Sequence, residues 1–266
     1  LHDSVEWYSP EQFRLGKWDR AYRSKDWLNR KGVTKGFSVI AISTYLYEHF
    51  KSRGLHTVRI PVIMDVQSMP SHKHTIQEKT VFLYAGSPGK KDYLTQIVSG
   101  FSSLNQEQLA CTELRLLGIR REQLVDACGV NPEHLKKCGT SLNCMGRVPR
   151  EEVLNNLLQA DYTVLLRSPN QRYAQAGFPT KVVESLATAT PVVTNLTSDL
   201  GLYLRDGENA VLIEDVSVDA VKTALEKAIA MSTQQRRQMQ NAARKTAEEN
   251  FDYRCYLSHM QELIGQ

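Results

Sequence analysis

From about residue 36 onward, short β-branched apolar runs alternate with helical stretches, and this rhythm constrains the fold more than any other feature. Strands are expected at 38–42, 57–60, 80–84, 113–117, 141–145, 162–166, 191–194 and 210–213. Between them, Leu154, Leu157 and Leu158 recur at one-turn spacing, as do Val218, Val221, Leu225 and Ile229. Strand and helix alternating in this way build βαβ units, hence a parallel sheet with helices on both faces. Several runs are apolar throughout, as strands buried on both faces must be. The expected class is α/β, doubly wound.

The rhythm breaks at residues 65–79, a polar, proline-containing stretch without period that reads as a linker. Residues 80–250 after it are long enough for one complete doubly wound domain. Residues 1–64 hold only two convincing strands, too few for a full sheet. A chain of 266 residues with 41% hydrophobic and 23% charged residues affords a folded core, which rules out wholesale disorder. The net charge of +4 is too small to argue for nucleic acid as a partner. The longest apolar runs are strand-sized, far from the roughly 20 residues that cross a bilayer, so the chain is expected to be soluble. Five cysteines without a C-x-x-C pair suit neither a disulfide scaffold nor a zinc site, and read as reduced thiols in a cytoplasmic protein. The polar opening lacks both methionine and a signal-peptide pattern, and reads as an internal fragment or a processed chain.

Residues 14–35 form a basic patch: Arg14, Lys17, Arg20, Arg23, Lys25, Arg30, Lys31 and Lys35 meet only Asp19 and Asp26. Leu15, Trp18 and Tyr22 fall among them on one face of a presumed helix. Such a stretch can dock on anionic lipid headgroups, or be an ordinary solvated helix whose aromatics pack on a neighbour.

Two segments carry chemistry. Residues 174–194 read as a loop, a helix and a buried strand, with Pro179 in the first helical turn and Gly177 allowing close backbone approach. The start of that helix offers free N–H groups to an anion, Lys181 adds a full charge, and Glu184 follows on the same face to accept ribose hydroxyls. Residues 81–92 read as a strand, a glycine-rich turn bearing Lys90 and Lys91, and then a helix. Both segments sit at carboxyl ends of strands, where open α/β sheets bind ligands, so together they would clamp a diphosphate. Neither G-x-x-x-x-G-K-[ST] nor G-x-G-x-x-G is present, which argues against an NTPase and a dinucleotide dehydrogenase.

These motifs, with Val39-Ile-Ala-Ile-Ser-Thr-Tyr-Leu, Ile60-Pro-Val-Ile-Met-Asp65, Met145-Gly-Arg-Val-Pro, Ala160-Asp-Tyr and Thr190-Pro-Val-Val, occur in the order seen in retaining glycosyltransferases of family four. The chain resembles that family (glycosyl transferases group 1) from about Val39 onward. The resemblance implies a GT-B fold of two facing Rossmann-like domains. Residues 80–250 would be the donor-binding domain, 1–64 the end of an acceptor-side domain, and 251–266 a helix crossing back to it. It implies a nucleoside-diphosphate sugar donor of UDP or GDP type, a polysaccharide or lipid-linked acceptor, no cofactor and no metal. Gly86, Ser87, Lys91, Thr180 and Lys181 would hold the diphosphate, Gly177 and Phe178 the sugar, and Arg147, Val148 and Glu184 the base and ribose. His2 would be the catalytic contact near the anomeric carbon. A bacterial protein is implied, cytoplasmic and peripheral on the inner face of the plasma membrane.

Two departures bear on the sugar. The family places a glutamate eight positions before Glu184, where this chain has Ala176, and an arginine where it has Ser87. Lys181 can restore part of that charge. The competing readings are a nucleotide-sugar-binding or regulatory module without catalysis, and a GT-B sugar-nucleotide epimerase.

Overall fold

Two parallel sheets organise the described residues, 1–71, 78–86 and 91–264 of this computed structural model. The smaller joins β1 (His2–Ser4), β2 (Val39–Ala41) and β3 (Thr57–Arg59) in that order. The larger contains β4 (Thr80–Ala85), β5 (Thr112–Leu117), β6 (Leu142–Gly146), β7 (Tyr162–Leu165), β8 (Val192–Asn195) and β9 (Ala210–Ile213). Its order, β6-β5-β4-β7-β8-β9, starts at the centre, runs to one edge, then returns to run to the other. This is the doubly wound order of a Rossmann-like sheet, with its switch point between β4 and β7. The six strands expected between residues 80 and 213 are all present.

The largely apolar runs of β4, β7, β8 and β9 follow from burial on both faces, whereas Glu113 and Arg115 alternate with buried residues in β5 and Asn143 of β6 is exposed. Phe82 and Tyr84 of β4, with Leu114, Leu116, Tyr162 and Val164, pack on Ile97, Val98 and Phe101 of the helix Leu94–Ser102 and on Val221 and Leu225 of the helix Val218–Ala230. The alternate residues Val81, Leu83 and Leu117 meet Leu157 and Ala160 on the other face. Leu165 and Val192 meet the helices Thr180–Ala187 and Thr233–Asn250. Each such fully buried side chain contributes about 1.5–3 kcal/mol. Gly100 sits where two helices touch, since a Cβ there would lie 2.6 Å from Val221 Cγ1.

Three local expectations are corrected. β1 was not foreseen: His-Asp-Ser has no apolar pattern, and it becomes a strand through backbone pairing, His2 N donating to Ser38 O (2.8 Å) and Ile42 N to Ser4 O (3.1 Å). Residues 14–35 are not one amphipathic helix. A 3-10 turn (Gly16–Trp18) is followed by the helix Arg20–Trp27, which Asp19 caps by accepting from Ala21 N. Tyr22 is buried whereas Leu15 and Trp18 are 62% and 73% exposed, so the three do not share a face. The expected loop after β7 contains the helix Arg172–Ala176, and Pro179 is the N-cap of the next helix rather than part of its first turn. The linker is anchored at its start: Val66 is fully buried, and Arg244 donates to the carbonyls of Val66 (2.9 Å) and Met69 (3.0 Å). Residues 72–77 lie outside the described residues.

The sheets are joined by more than one path. Met64 N donates to Phe251 O (2.9 Å) and Tyr253 N to Met64 O (3.0 Å), which brings the end of the long helix back alongside the first sheet. Asp199 accepts from Thr44 N (2.8 Å), Thr44 Oγ1 (2.9 Å) and Arg59 Nη1 (2.8 Å).

Candidate functional site

Beyond the carboxyl ends of β4 and β7 the connections diverge in opposite directions, which opens a crevice at the switch point. Two cavities occupy this region, one of about 320 Å³ and one of about 600 Å³, and Lys181 lines both.

The smaller cavity is walled by the strand ends Leu83, Ala85 and Leu117, with Gly86, Gly118, Arg147, Val148, Lys181 and Glu184 around its mouth. Its helix is held against β7 by a buried relay in which Ser185 Oγ meets Thr163 Oγ1 (2.6 Å) and donates to Thr190 O (2.6 Å). That fixes Lys181 and Glu184, one turn apart, toward the crevice. Burial raises the Glu184 carboxyl above its ordinary value, and the positive charges of Arg150 and Lys181 oppose the rise. No hydrogen bond to this carboxylate is found among the described residues, so its oxygens can receive hydroxyl donors.

Lys181 Nζ contacts Asp92 Oδ2 (3.1 Å) and Tyr84 Oη (3.3 Å), and stands 4.5 Å from the centre of the Tyr84 ring. Tyr84 Oη itself donates to Asp92 Oδ2 (2.5 Å). Burial first, then the Asp92 carboxylate, hold the Tyr84 phenol far above its usual range, so it remains a proton donor. A Cβ at Gly86 would displace the flexible end of Lys181 from its present position. No side chain caps the helix Thr180–Ala187, and its first turn faces the larger cavity through Thr180 and Lys181.

The larger cavity lies between the two sheets. Gly177, Phe178, Thr180, Lys181, Lys91 and Arg167 face Asp3, Glu6, Ile40 and Ile60 across it. Lys91 Nζ pairs with Glu6 and lies 5.3 Å from the Tyr173 ring centre. Burial pushes the Tyr173 phenol up to about 12, and its Oη donates to Lys91 O (3.2 Å).

The structure thus places Gly86, Arg147, Val148, Lys181 and Glu184 around the smaller cavity, and Lys91, Gly177, Phe178 and Thr180 around the larger. Ser87 and Lys90 lie outside the described residues. The Gly177 N–H, expected to orient a sugar, is already donated to Tyr173 O (3.0 Å), because the helix Arg172–Ala176 ends there. The Phe178 ring packs with Tyr203 and Phe251 (centres 5.8 and 5.7 Å away). His2 is apart from both cavities: strand alternation sends its neighbour Asp3 to the larger one, while the His2 ring meets Phe50 edge-on at 5.9 Å. Ala176 is fully buried, its carbonyl accepting from Ser43 Oγ (2.6 Å).

Tyr84, Asp92, Gly118 and Arg167 were missed. The last two directly follow expected strands or stand one residue beyond, so the strand-end rule applied to every strand would have found them. Asp92 pairs with Lys181, 89 residues along the chain, so no local signal in the sequence marks it.

Residues 69–246 match the family model for glycosyl transferases group 1. No curated protein sequence matches the chain. Several solved structures share its fold at low identity. Sucrose-phosphate synthase from Thermosynechococcus elongatus aligns with TM-score 0.73 at 16% identity, over 96% of this chain and 63% of that one. Alr3699/HepE from Anabaena, in complex with UDP and glucose, aligns with TM-score 0.75 at 14% identity, over 100% of this chain and 71% of that one. TarM aligns with TM-score 0.73 at 11% identity, over 100% of this chain and 50% of that one. The chain therefore spans less than two thirds of the synthase and half of TarM. The Rossmann-like sheet, the crevice at its switch point and a family match running through most of the sequence lead to one assignment: the chain belongs to the glycosyl transferases group 1 family and has the GT-B fold.

Proposed function

We propose that the chain contributes the donor half and part of the acceptor half of a retaining, metal-independent glycosyltransferase. It uses a nucleoside-diphosphate sugar of UDP or GDP type. The observation that carries this reading is the pair of adjoining cavities that share Lys181. The smaller suits a nucleoside, with the Glu184 carboxylate accepting ribose hydroxyls and the Arg147–Val148 turn beside the base. The larger suits the sugar and its acceptor, because residues of both sheets line it. Diphosphate crossing between them meets Lys181 and the uncapped first turn of the helix Thr180–Ala187. As the glycosidic bond breaks, charge develops on the leaving phosphate, where Lys181, Lys91 and these N–H groups stabilise it. That neutralisation is the task a metal ion would otherwise perform. HepE structures in complex with UDP and glucose and with UDP-glucose support a uridine donor here.

The acceptor is proposed to be a polysaccharide or a lipid-linked glycan at a bacterial membrane surface. WaaG, a fold neighbour, is described as involved in lipopolysaccharide biosynthesis. All eight basic residues of the 14–35 patch are exposed, and Trp18 and Trp27 stand 73% and 59% exposed among them. Such a surface suits anionic headgroups. No helix among the described residues is long and apolar enough to cross a membrane, so any contact through this patch is peripheral.

Calorimetric titration with UDP and GDP tests the site, with Lys91→Ala and Glu184→Ala as weakened controls. Absence of binding by either nucleotide overturns the reading. A second reading, a binding module without turnover, is favoured by the buried Ala176 and by the capture of Lys91 by Glu6. Transfer from radiolabelled sugar nucleotide to an acceptor separates the two.

A further inference from the structure

Three cations line the larger cavity, and two of them are paired: Lys91 with Glu6, and Lys181 with Asp92 at 3.1 Å. Arg167 differs. Among the described residues it makes no ion pair, and its Nε is buried without a hydrogen-bond partner. A guanidinium is always charged and carries five donors in a planar fork, so leaving one such donor dry and unmatched costs free energy. Its backbone is meanwhile held firmly. Arg167 N donates to Asn195 Oδ1 (2.9 Å), Asn195 Nδ2 donates to Arg167 O (2.8 Å), and Arg167 forms a β-bridge with Asp92. The residue stands two positions past the end of β7, at the switch point, on the cavity side of Lys181 that lies away from Glu184. A fixed, unneutralised cation in a cavity is a site built for an anion.

We infer that Arg167 binds the sugar-bearing phosphate of the nucleoside-diphosphate donor, a role that rests on the donor-site reading above. A nucleoside seated by Glu184 directs its first phosphate to Lys181 at the junction. The second phosphate then emerges in the larger cavity, where the Arg167 fork can take two of its oxygens. Arg167 thereby supplies positive charge from the β7 end of the crevice.

The test is calorimetric titration of the chain and of Arg167→Gln and Arg167→Lys with UDP, UMP and uridine, and with GDP, GMP and guanosine. Arg167→Gln is expected to weaken the diphosphate by about 10-fold or more, as loss of a charge-assisted hydrogen bond does, and the monophosphate and nucleoside by less than about 3-fold. Arg167→Lys recovers part of the loss, because the charge returns without the fork. The ligand-free melting temperature supplies a second readout. A residue that awaits an anion predicts that Arg167→Gln melts at or above the parent temperature, whereas a structural arginine predicts a clear drop. Equal loss across all three nucleotide forms, unchanged diphosphate affinity, or a drop in ligand-free melting temperature would overturn the inference while leaving the donor site standing. If the parent chain binds neither diphosphate, both readings fall.

Discussion

At the scale of single residues, Glu184 links stability and binding through one proton. Burial raises its pKa, so between the ordinary carboxylate value and the raised one the folded chain holds more protons than the unfolded chain. The contribution of this group to stability therefore falls as pH rises through that window, and is constant below it. Donor affinity is expected to move the other way, because the ionised carboxylate is the better acceptor for ribose hydroxyls. Melting temperature and UDP affinity, followed in parallel from about pH 4 to about pH 8, should show opposing trends that Glu184→Gln flattens. Gly86→Ala makes a steric counterpart: its Cβ drives Lys181 Nζ from its place, so diphosphate affinity should drop by about 10-fold with the melting temperature little changed. Calorimetry and a thermal scan check it, and unchanged affinity would show that Lys181 does not act from this position. Gly86, Lys181 and Glu184 were legible in the sequence because strand ends and helix faces follow from period and punctuation. His2 and the Gly177 N–H were not. The direction of His2 depends on a three-residue polar strand that exists only through pairing, and the Gly177 amide is taken by a helix too short to leave a periodic signal.

At the scale of elements, what the sequence reveals divides by the source of each element's stability. Strands β4, β7, β8 and β9 announce themselves because both faces are buried and largely apolar runs survive there, whereas β5 alternates with Glu113 and Arg115 and β6 exposes Asn143. β1 and the anchored start of the linker have no such signature, since backbone pairing holds the first, and buried Val66 with the Arg244 and Asp252 side chains holds the second. The join between the sheets is of this second kind. Asp199 is buried and gathers Thr44, the first residue of the helix Thr44–Ser52, and Arg59 of β3 onto one carboxylate oxygen. Asp199→Ala strands those donors and should destabilise the chain by about 2–3 kcal/mol, seen as a lower denaturation midpoint. Lys136→Ala breaks a pair whose side chains are 73% and 67% exposed, and should cost no more than about 0.5 kcal/mol. Similar losses for both would mean that Asp199 is an ordinary surface acid and that the sheets are held by apolar packing alone.

At the scale of the whole molecule, the distribution of charge says more than its total of +4. The patch at 14–35 opposes eight basic residues with Asp19, which is spent on capping a helix, and Asp26, which accepts from Trp7 Nε1 (2.8 Å) and Arg30 Nε (2.7 Å). Of the exposed cations only Arg30 is offset, by Asp26, and the indoles of Trp18 and Trp27 offer the amphipathic rings that settle at headgroup depth. Each basic residue near an anionic surface contributes about 1 kcal/mol, so the patch is expected to bind such a surface. Sedimentation with phosphatidylcholine vesicles, with and without phosphatidylglycerol, checks this. Binding should require the anionic lipid, fall with added salt as screening predicts, and drop by about 10-fold or more in Arg20→Glu/Arg23→Glu. Trp18→Ala/Trp27→Ala should weaken binding while keeping its salt dependence, since it removes insertion and leaves the charges. Binding that is indifferent to lipid charge, or untouched by both double variants, would return the patch to a solvated surface and favour an acceptor that reaches the cleft from solution.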